Sequence, residues 1–241
     1  MADEQKPMDR IVESMRDPLR RYVDLVRELA GSKGKALTLF GAIVAGTFDP
    51  KRHTVRNVLV VDQVDLAMLR RLSEHGTRLG KSHIAAPLIM TPPYIRASLD
   101  TFALELIEIQ QQHLTLFGED HFADLAFQDT HIRLQCEREL KTILVGLRQG
   151  LLAAAGREKF IKALDAQVAE TLLRTLRGLL WLKGQRTAKP ATEVVGKVEE
   201  IVERKLSGLR TALEPTAQHG WDEFERLYQD VEALGEAVNA W

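Results

Sequence analysis

The sequence predicts an α+β protein, with a mixed β-sheet and flanking helices in its N-terminal half and an all-α helical bundle after it. Two patterns support this prediction. Short apolar runs at 36–44 and 55–61 are separated by a loop with Gly, Asp-Pro and basic side chains, which is typical of paired strands. From about residue 124 onward, apolar residues recur every three or four positions, as in amphipathic helices. The change of period predicts two domains, 1–123 and 124–241.

The N-terminal half alternates helical and extended patterns. Its first helix contains Pro18, which is expected to kink or split it, and ends at the glycines of 31–34. Asp65 precedes a second apolar stripe and is a typical N-terminal helix cap. The predicted elements are, in order, a helix over 8–30, strands over 36–44 and 55–61, a helix after Asp65 that ends near Gly76 or Gly80, and strands over 83–90, 102–109 and 113–117. The mixed pattern of 102–109 fits either a strand or a helix, and we favour a strand.

The C-terminal half shows four apolar stripes at helical spacing. These stripes cover residues 134–151, 160–180, 194–206 and 221–238. A polar linker with Pro190 separates the second stripe from the third. Helices with one apolar face bury it by packing together, so this half is expected to form a bundle.

Composition and charge exclude several classes of protein. Hydrophobic residues make up 45% and charged residues 28% of the 241 residues, which is ordinary for a globular chain. The net charge of -1 does not favour nucleic-acid binding. Cys136 is the single cysteine, so an intrachain disulfide is excluded. The sequence shows neither a secretory leader nor a long apolar run, so we expect a cytoplasmic protein without a membrane span.

Three segments resemble motifs of the nucleotidyltransferase superfamily, which includes kanamycin nucleotidyltransferase and DNA polymerase β. Residues 37–46 (LTLFGAIVAG) resemble a strand that ends in a Gly-Ser turn, and residues 54–61 (TVRNVLVV) resemble the strand with two metal-binding carboxylates. Residues 100–109 (DTFALELIEI) are similar to the strand that carries the third carboxylate. The order of these segments, followed by a helical bundle, matches the superfamily along nearly the whole chain.

The resemblance implies Mg²⁺-dependent nucleotidyl transfer, but the matching positions lack the required ligands. Members of the superfamily hold Mg²⁺ with carboxylates, and Mg²⁺ prefers anionic oxygen ligands. The two carboxylate positions are occupied by Val55 and Asn57, and the phosphate-binding serine is replaced by Ala42. Glu105 is the best candidate for the third carboxylate, with Glu108 in reserve. We therefore expect a degenerate site with no catalytic residue, no bound metal and no cofactor.

The residues around this site still suggest phosphate binding. The candidate ligands of a nucleotide phosphate are the turn residues Gly41, Ala42 and Gly46 and the basic residues Lys51, Arg52 and Arg56. Glycine lets backbone N–H groups approach a phosphate, and arginine donates charge-assisted hydrogen bonds to it. The alternative interpretation is a tight turn followed by a solvated basic loop.

Three functions remain open from the sequence. The first is a non-catalytic protein that binds a nucleotide or a protein partner in a regulatory role. The second is an active Mg²⁺-dependent nucleotidyltransferase with displaced ligands, namely Asp49, Asn57 and Glu105. The third is a structural module whose helical bundle pairs with another protein or forms a homodimer.

Overall fold

The computed structural model describes residues 7–155, 157–187, 190–214 and 220–241. Contacts divide the chain into two compact units, the first comprising Met1–Leu99 and Glu108–Ala126 and the second Asp100–Ile107 and Phe127–Trp241. The predicted division between residues 123 and 124 stays a prediction. By contacts, residues 100–107 group with the second unit. None of the helices described is long and apolar enough to cross a membrane.

The first unit is built on a four-stranded mixed sheet with the strand order β3-β2-β1-β4. Strand β1 pairs antiparallel with both β2 and β4, and β2 pairs parallel with β3. The four strands are β1 (Gly34–Phe40), β2 (Arg56–Val61), β3 (Leu88–Met90) and β4 (His113–Gly118). In this register Phe40 of β1 lies between Arg56 of β2 and His113 of β4.

Several helices accompany the sheet in the described part of this half of the chain. They are α1 (Glu13–Ala30), α2 (Ala42–Ala45), α3 (Leu66–Ser73), α4 (Gly76–Lys81), α5 (Pro92–Ala97) and α6 (Ala103–Gln111). Helix α1 runs through Pro18 without being split, and residues 10–12 separate it from a short helical segment at 7–9. The Asp65 carboxylate accepts hydrogen bonds from the N–H groups of Ala67 and Met68, so it caps α3 as predicted.

One predicted strand is a helix. Residues 102–109 were expected to be extended, but they lie mainly in α6. Ala103, Leu104, Leu106, Ile107 and Ile109 are all buried. A short segment that is apolar on most of its circumference fits both patterns, and periodicity alone does not separate them. Strand β4 follows at His113, as predicted.

The core of the first unit lies between one face of the sheet and the first helix. Side chains alternate along a strand, so every second residue of β1 and β2 faces the same side. Leu37 and Leu39 of β1 and Leu59 and Val61 of β2 belong to one buried cluster. Leu19, Tyr22 and Val26 of α1 are buried in the same cluster.

The second unit is a helical bundle. After the first residues of α6 it contains α7 (Asp129–Ala154), α8 (Glu158–Leu182), α9 (Ala191–Ile201), α10 (Ser207–Leu213) and α11 (Trp221–Asn239). The predicted third stripe, 194–206, covers α9 and the loop that follows it. A Cβ atom on Gly208 would lie 2.1 Å from the backbone nitrogen of Leu227. Helices α10 and α11 therefore approach so closely that only glycine fits at position 208.

Two buried carboxylates organise the α10 end of the bundle. Glu199 accepts two hydrogen bonds from Arg210, at 2.8 and 2.7 Å, and one from the N–H of Leu206 at 2.9 Å. Asp230 accepts a hydrogen bond from the N–H of Leu209 at 3.0 Å. The hydrogen bonds from Arg210 lower the pKa of Glu199 to about 2, whereas burial raises the pKa of Asp230. Both side chains hold the start of α10 in place.

Candidate functional site

The glycine turn after β1 is closed by its own backbone. Gly41 and Gly46 have positive φ angles of 78° and 73°, which favour glycine. The carbonyl oxygen of Gly41 accepts from the N–H groups of Val44 and Ala45 at 2.9 and 3.0 Å. Ala42 begins the four-residue helix between the two glycines. The turn geometry therefore accounts for both glycines, and the phosphate contact predicted for Gly41, Ala42 and Gly46 stays a prediction.

The loop from Thr47 to Thr54 is shaped by Asp49. The Asp49 carboxylate accepts from the N–H of Lys51 at 2.9 Å, and its carbonyl accepts from the N–H of His53 at 2.8 Å. The side chains of Lys51 and Arg52 point outward, and both residues are exposed. Neither side chain has a hydrogen bond or an ion pair within the part of the chain that the structure describes. These two charges are free to meet an anion.

Arg56, the third basic residue, is already engaged. Its guanidinium donates two hydrogen bonds to the Glu108 carboxylate, at 2.6 and 3.1 Å. It also lies 4.3 Å from the centre of the Phe40 ring. Its Cδ atom would be 3.7 Å from a Cβ on Gly41, so Arg56 borders the glycine turn. Glu108 uses two of the five N–H donors of this guanidinium, and its negative charge opposes a phosphate at the same arginine.

The two positions that the resemblance assigns to metal ligands are enclosed in the core. Val55 is 0% exposed and Asn57 is 1% exposed. Asn57 Oδ1 accepts from the Tyr22 hydroxyl at 2.8 Å, and Asn57 Nδ2 donates to the carbonyl of Ala85 at 3.0 Å. Burial raises the pKa of the Tyr22 hydroxyl, which keeps it protonated as a donor. The Asn57 amide is thus held at both ends by partners inside the protein.

Glu105 and Glu108 lie on the same helix but have different partners. Glu105 forms an ion pair with Arg174 within the second unit. Glu108 belongs to the first unit and pairs with Arg56 there. The expectation that Glu105 stands on a strand is wrong, because Ala103–Gln111 form the helix α6.

These side chains do not fit Mg²⁺. Strand β2 carries no carboxylate on either face, and the amide oxygen at position 57 is taken by Tyr22. Among the described residues there is no group of three or more His, Cys, Asp or Glu that could hold a metal ion. Asp49 of the displaced ligand set accepts from the N–H of Lys51, and Glu105 pairs with Arg174.

Sequence analysis missed Tyr22 and undervalued Glu108. A tyrosine within the apolar stripe of α1 and an asparagine within the apolar run of β2 were both visible in the sequence. Buried hydroxyl and amide groups need partners, and this rule could have suggested that the two groups meet. The Arg56–Glu108 pair gave no such signal, because its partners are separated by 52 positions.

Comparison with known proteins supports the fold. The sequence matches no protein-family model, and it matches no curated protein. Among solved structures, the chain is similar to a spectinomycin adenyltransferase from Enterococcus faecialis crystallised with ATP and spectinomycin. The TM-score is 0.59 at 10% sequence identity, and the match covers 92% of this chain and 98% of that one. The chain has a nucleotidyltransferase-like fold. At this level of identity the similarity concerns the fold alone, and function depends on the site.

Proposed function

We propose that this chain is a nucleotidyltransferase-like protein that does not transfer nucleotides and binds a nucleotide or another polyphosphate without metal. The burial of Asn57 and the hydrogen bonds at both ends of its amide, beside the buried Val55, carry the proposal. Two-metal transfer requires carboxylates that reach the metal ions and the phosphates. A side chain that is held by Tyr22 and Ala85 under α1 does not supply that function.

The binding part of the proposal rests on the loop beside the glycine turn. Lys51 and Arg52 are exposed cations without partners in the described chain, and Arg56 borders Gly41. Such groups bind phosphate oxygens directly, so binding does not depend on a bridging cation. The similar adenyltransferase was crystallised with ATP, which makes ATP a reasonable first probe.

Two experiments test the two parts separately. Incubation with labelled ATP, Mg²⁺ and a panel of hydroxyl acceptors is expected to give no transfer. Mg²⁺-dependent labelling of any acceptor would contradict the loss of chemistry and favour the active enzyme.

Calorimetric titration with ATP, with and without EDTA, tests binding. We expect equal affinity in both conditions and about a tenfold loss in the variant Lys51→Ala with Arg52→Ala, because each contact is charge-assisted. The matched control removes two exposed arginines of α3, Arg70→Ala with Arg71→Ala, and should bind ATP nearly as the wild type does. Affinity that disappears with EDTA, or an equal loss in both variants, contradicts the loop site.

A second candidate, a bundle that pairs with another copy, has one specific observation in its favour. Leu134, Val145 and Leu152 of α7 are 58%, 50% and 80% exposed. Their spacing places them on one side of the helix. Light scattering of the full chain tests this candidate, and a dimer that Leu152→Glu converts to a monomer would support it.

A further inference from the structure

A small pocket lies within the second unit, where the first residues of α6 meet α7 and α8. Its volume is about 100 Å³. It is separate from the glycine turn and the basic loop, which belong to the first unit. A cavity of about 150 Å³ accommodates benzene, so this pocket suits a ligand of only a few heavy atoms.

Hydrogen bonds and close packing fix the walls of the pocket. Gln135 of α7 accepts from the N–H of Leu104 at 3.0 Å and donates to the carbonyl of Asp100 at 3.0 Å. Leu104 packs over Gly178 of α8, where a Cβ atom would come within 2.4 Å of its Cδ2 atom. The segment that begins α6 is therefore held firmly against both long helices, and the pocket beside it is preformed.

The charges that line the pocket are balanced. Two of the charged lining residues, Glu105 and Arg174, form an ion pair with each other. The other two charged groups, Arg138 and Glu139, have no hydrogen bond or ion pair among the residues described. One cationic and one anionic group thus remain available in the same small pocket.

Two threonines of α8 also belong to the lining of the pocket. The Thr171 and Thr175 hydroxyls line the pocket and donate to carbonyls of their own helix, at 3.3 and 3.5 Å. Each oxygen atom keeps a lone pair that can accept a hydrogen bond from an N–H group. Their acceptors, together with the Glu139 carboxylate, match an ammonium group, whereas the Arg138 guanidinium matches a carboxylate.

We infer that this pocket binds a small zwitterion, an amino acid of the size of glycine, alanine or serine. The carboxylate of the ligand pairs with Arg138, and its ammonium group lies by Glu139 and Thr171. A simple anion at Arg138 would also face the like charge of Glu139, and a simple cation at Glu139 would face that of Arg138. A ligand with both charges satisfies both groups, which is why a zwitterion is favoured over either half.

Calorimetric titration of the full chain tests the inference. The probes are glycine, alanine and serine, with acetate, methylammonium and inorganic phosphate as single-charge comparisons. At least one amino acid should bind, and acetate, methylammonium and phosphate should bind at least about tenfold more weakly. Arg138→Gln and Glu139→Gln should each weaken amino-acid binding by about tenfold, since each removes one charge-assisted contact.

The matched control is Arg133→Gln, which removes an arginine of the same helix that pairs with Glu137 and does not line the pocket. It should bind the amino acid as the wild type does. Absence of binding by all three amino acids overturns the inference. Equal binding of acetate or phosphate overturns the ligand class, and unchanged affinity in Arg138→Gln overturns the site. None of these outcomes bears on ATP binding at the basic loop.

Discussion

The two units satisfy their buried polar side chains in different ways. In the first unit, the neutral Asn57 amide is held by the Tyr22 hydroxyl and the Ala85 carbonyl. In the second unit, the buried Glu199 carboxylate is held by Arg210 and the N–H of Leu206. The strand that would need carboxylates for metal chemistry has none, and the bundle uses carboxylates to fix its helices. Asn57 and Glu199 thus show two ways to hold a buried polar group, one with neutral partners and one with an arginine.

The largest effect is expected from a carboxylate placed at position 57. Asn57→Asp puts a charge in an enclosed site and removes the donor to the Ala85 carbonyl. We expect a loss of about 3–5 kcal/mol in the free energy of unfolding, measured by urea denaturation. Adding Val55→Asp should increase the loss further, because two buried like charges repel.

Mg²⁺ should not restore the stability of either variant, because residues 55 and 57 are closed to solvent. The control is Gln63→Glu, an exposed change from amide to acid near the end of β2, which should cost less than about 0.5 kcal/mol. A thermal midpoint that rises with Mg²⁺ in the double variant, and not in the wild type, would falsify the enclosed geometry and indicate a latent metal site.

At Glu199 of the bundle, removing a charge should destabilise the protein, whereas at position 57 adding a charge should do so. Glu199→Gln weakens the contacts with Arg210, and we expect a loss of about 2–3 kcal/mol near neutral pH. The pKa of Glu199 is lowered to about 2 in the folded protein, against about 4.3 in an unfolded chain. Its contribution is thus present above pH of about 4.3 and is lost as the pH falls towards about 2.

The stability difference between wild type and Glu199→Gln should therefore shrink as the pH falls through that window. Denaturation curves at several pH values measure it. The neighbouring Glu200, whose side chain is 64% exposed and pairs with Lys197, provides the control Glu200→Gln. That change should cost less than about 1 kcal/mol at every pH. A difference that stays constant with pH contradicts the assignment to Glu199.

A smaller effect is expected from the hydroxyl that holds Asn57. Tyr22→Phe leaves Asn57 Oδ1 buried without its donor, at a cost of about 1–3 kcal/mol. In an Asn57→Ala background the same change should cost less, since the acceptor is already gone. Tyr94→Phe, at a half-exposed tyrosine, is the control and should be nearly neutral. Equal costs in both backgrounds would argue against the Tyr22–Asn57 bond.

Local patterns predicted most of the fold. The apolar runs of the strands, the apolar faces of the helices and the Asp65 cap all depend on residues that are close together in the sequence. The α+β class and the nucleotidyltransferase-like fold are confirmed. Segment 102–109 was assigned to a strand but is mainly helical, because a short segment with apolar residues on most sides fits either structure. At the site, residues 55 and 57 are both buried, and Asn57 is held by Tyr22 of α1, which lies 35 positions earlier in the chain. Sequence spacing does not encode such long-range contacts.

The smallest effect is expected on ATP affinity when Arg56 is released from its ion pair with Glu108. Glu108→Gln removes the charge that holds Arg56, so the guanidinium becomes available beside Gly41. If a phosphate meets Arg56, the affinity for ATP should rise by about two- to fivefold in calorimetric titration, the size of one exposed charge interaction. Glu119→Gln, at an exposed residue just after β4, removes a charge without freeing Arg56 and should leave the affinity unchanged. An equal rise in both variants would reflect net charge alone. An unchanged affinity in Glu108→Gln would restrict the site to Lys51 and Arg52, and the Arg56–Glu108 pair would then be structural, like the Asn57 amide next to it.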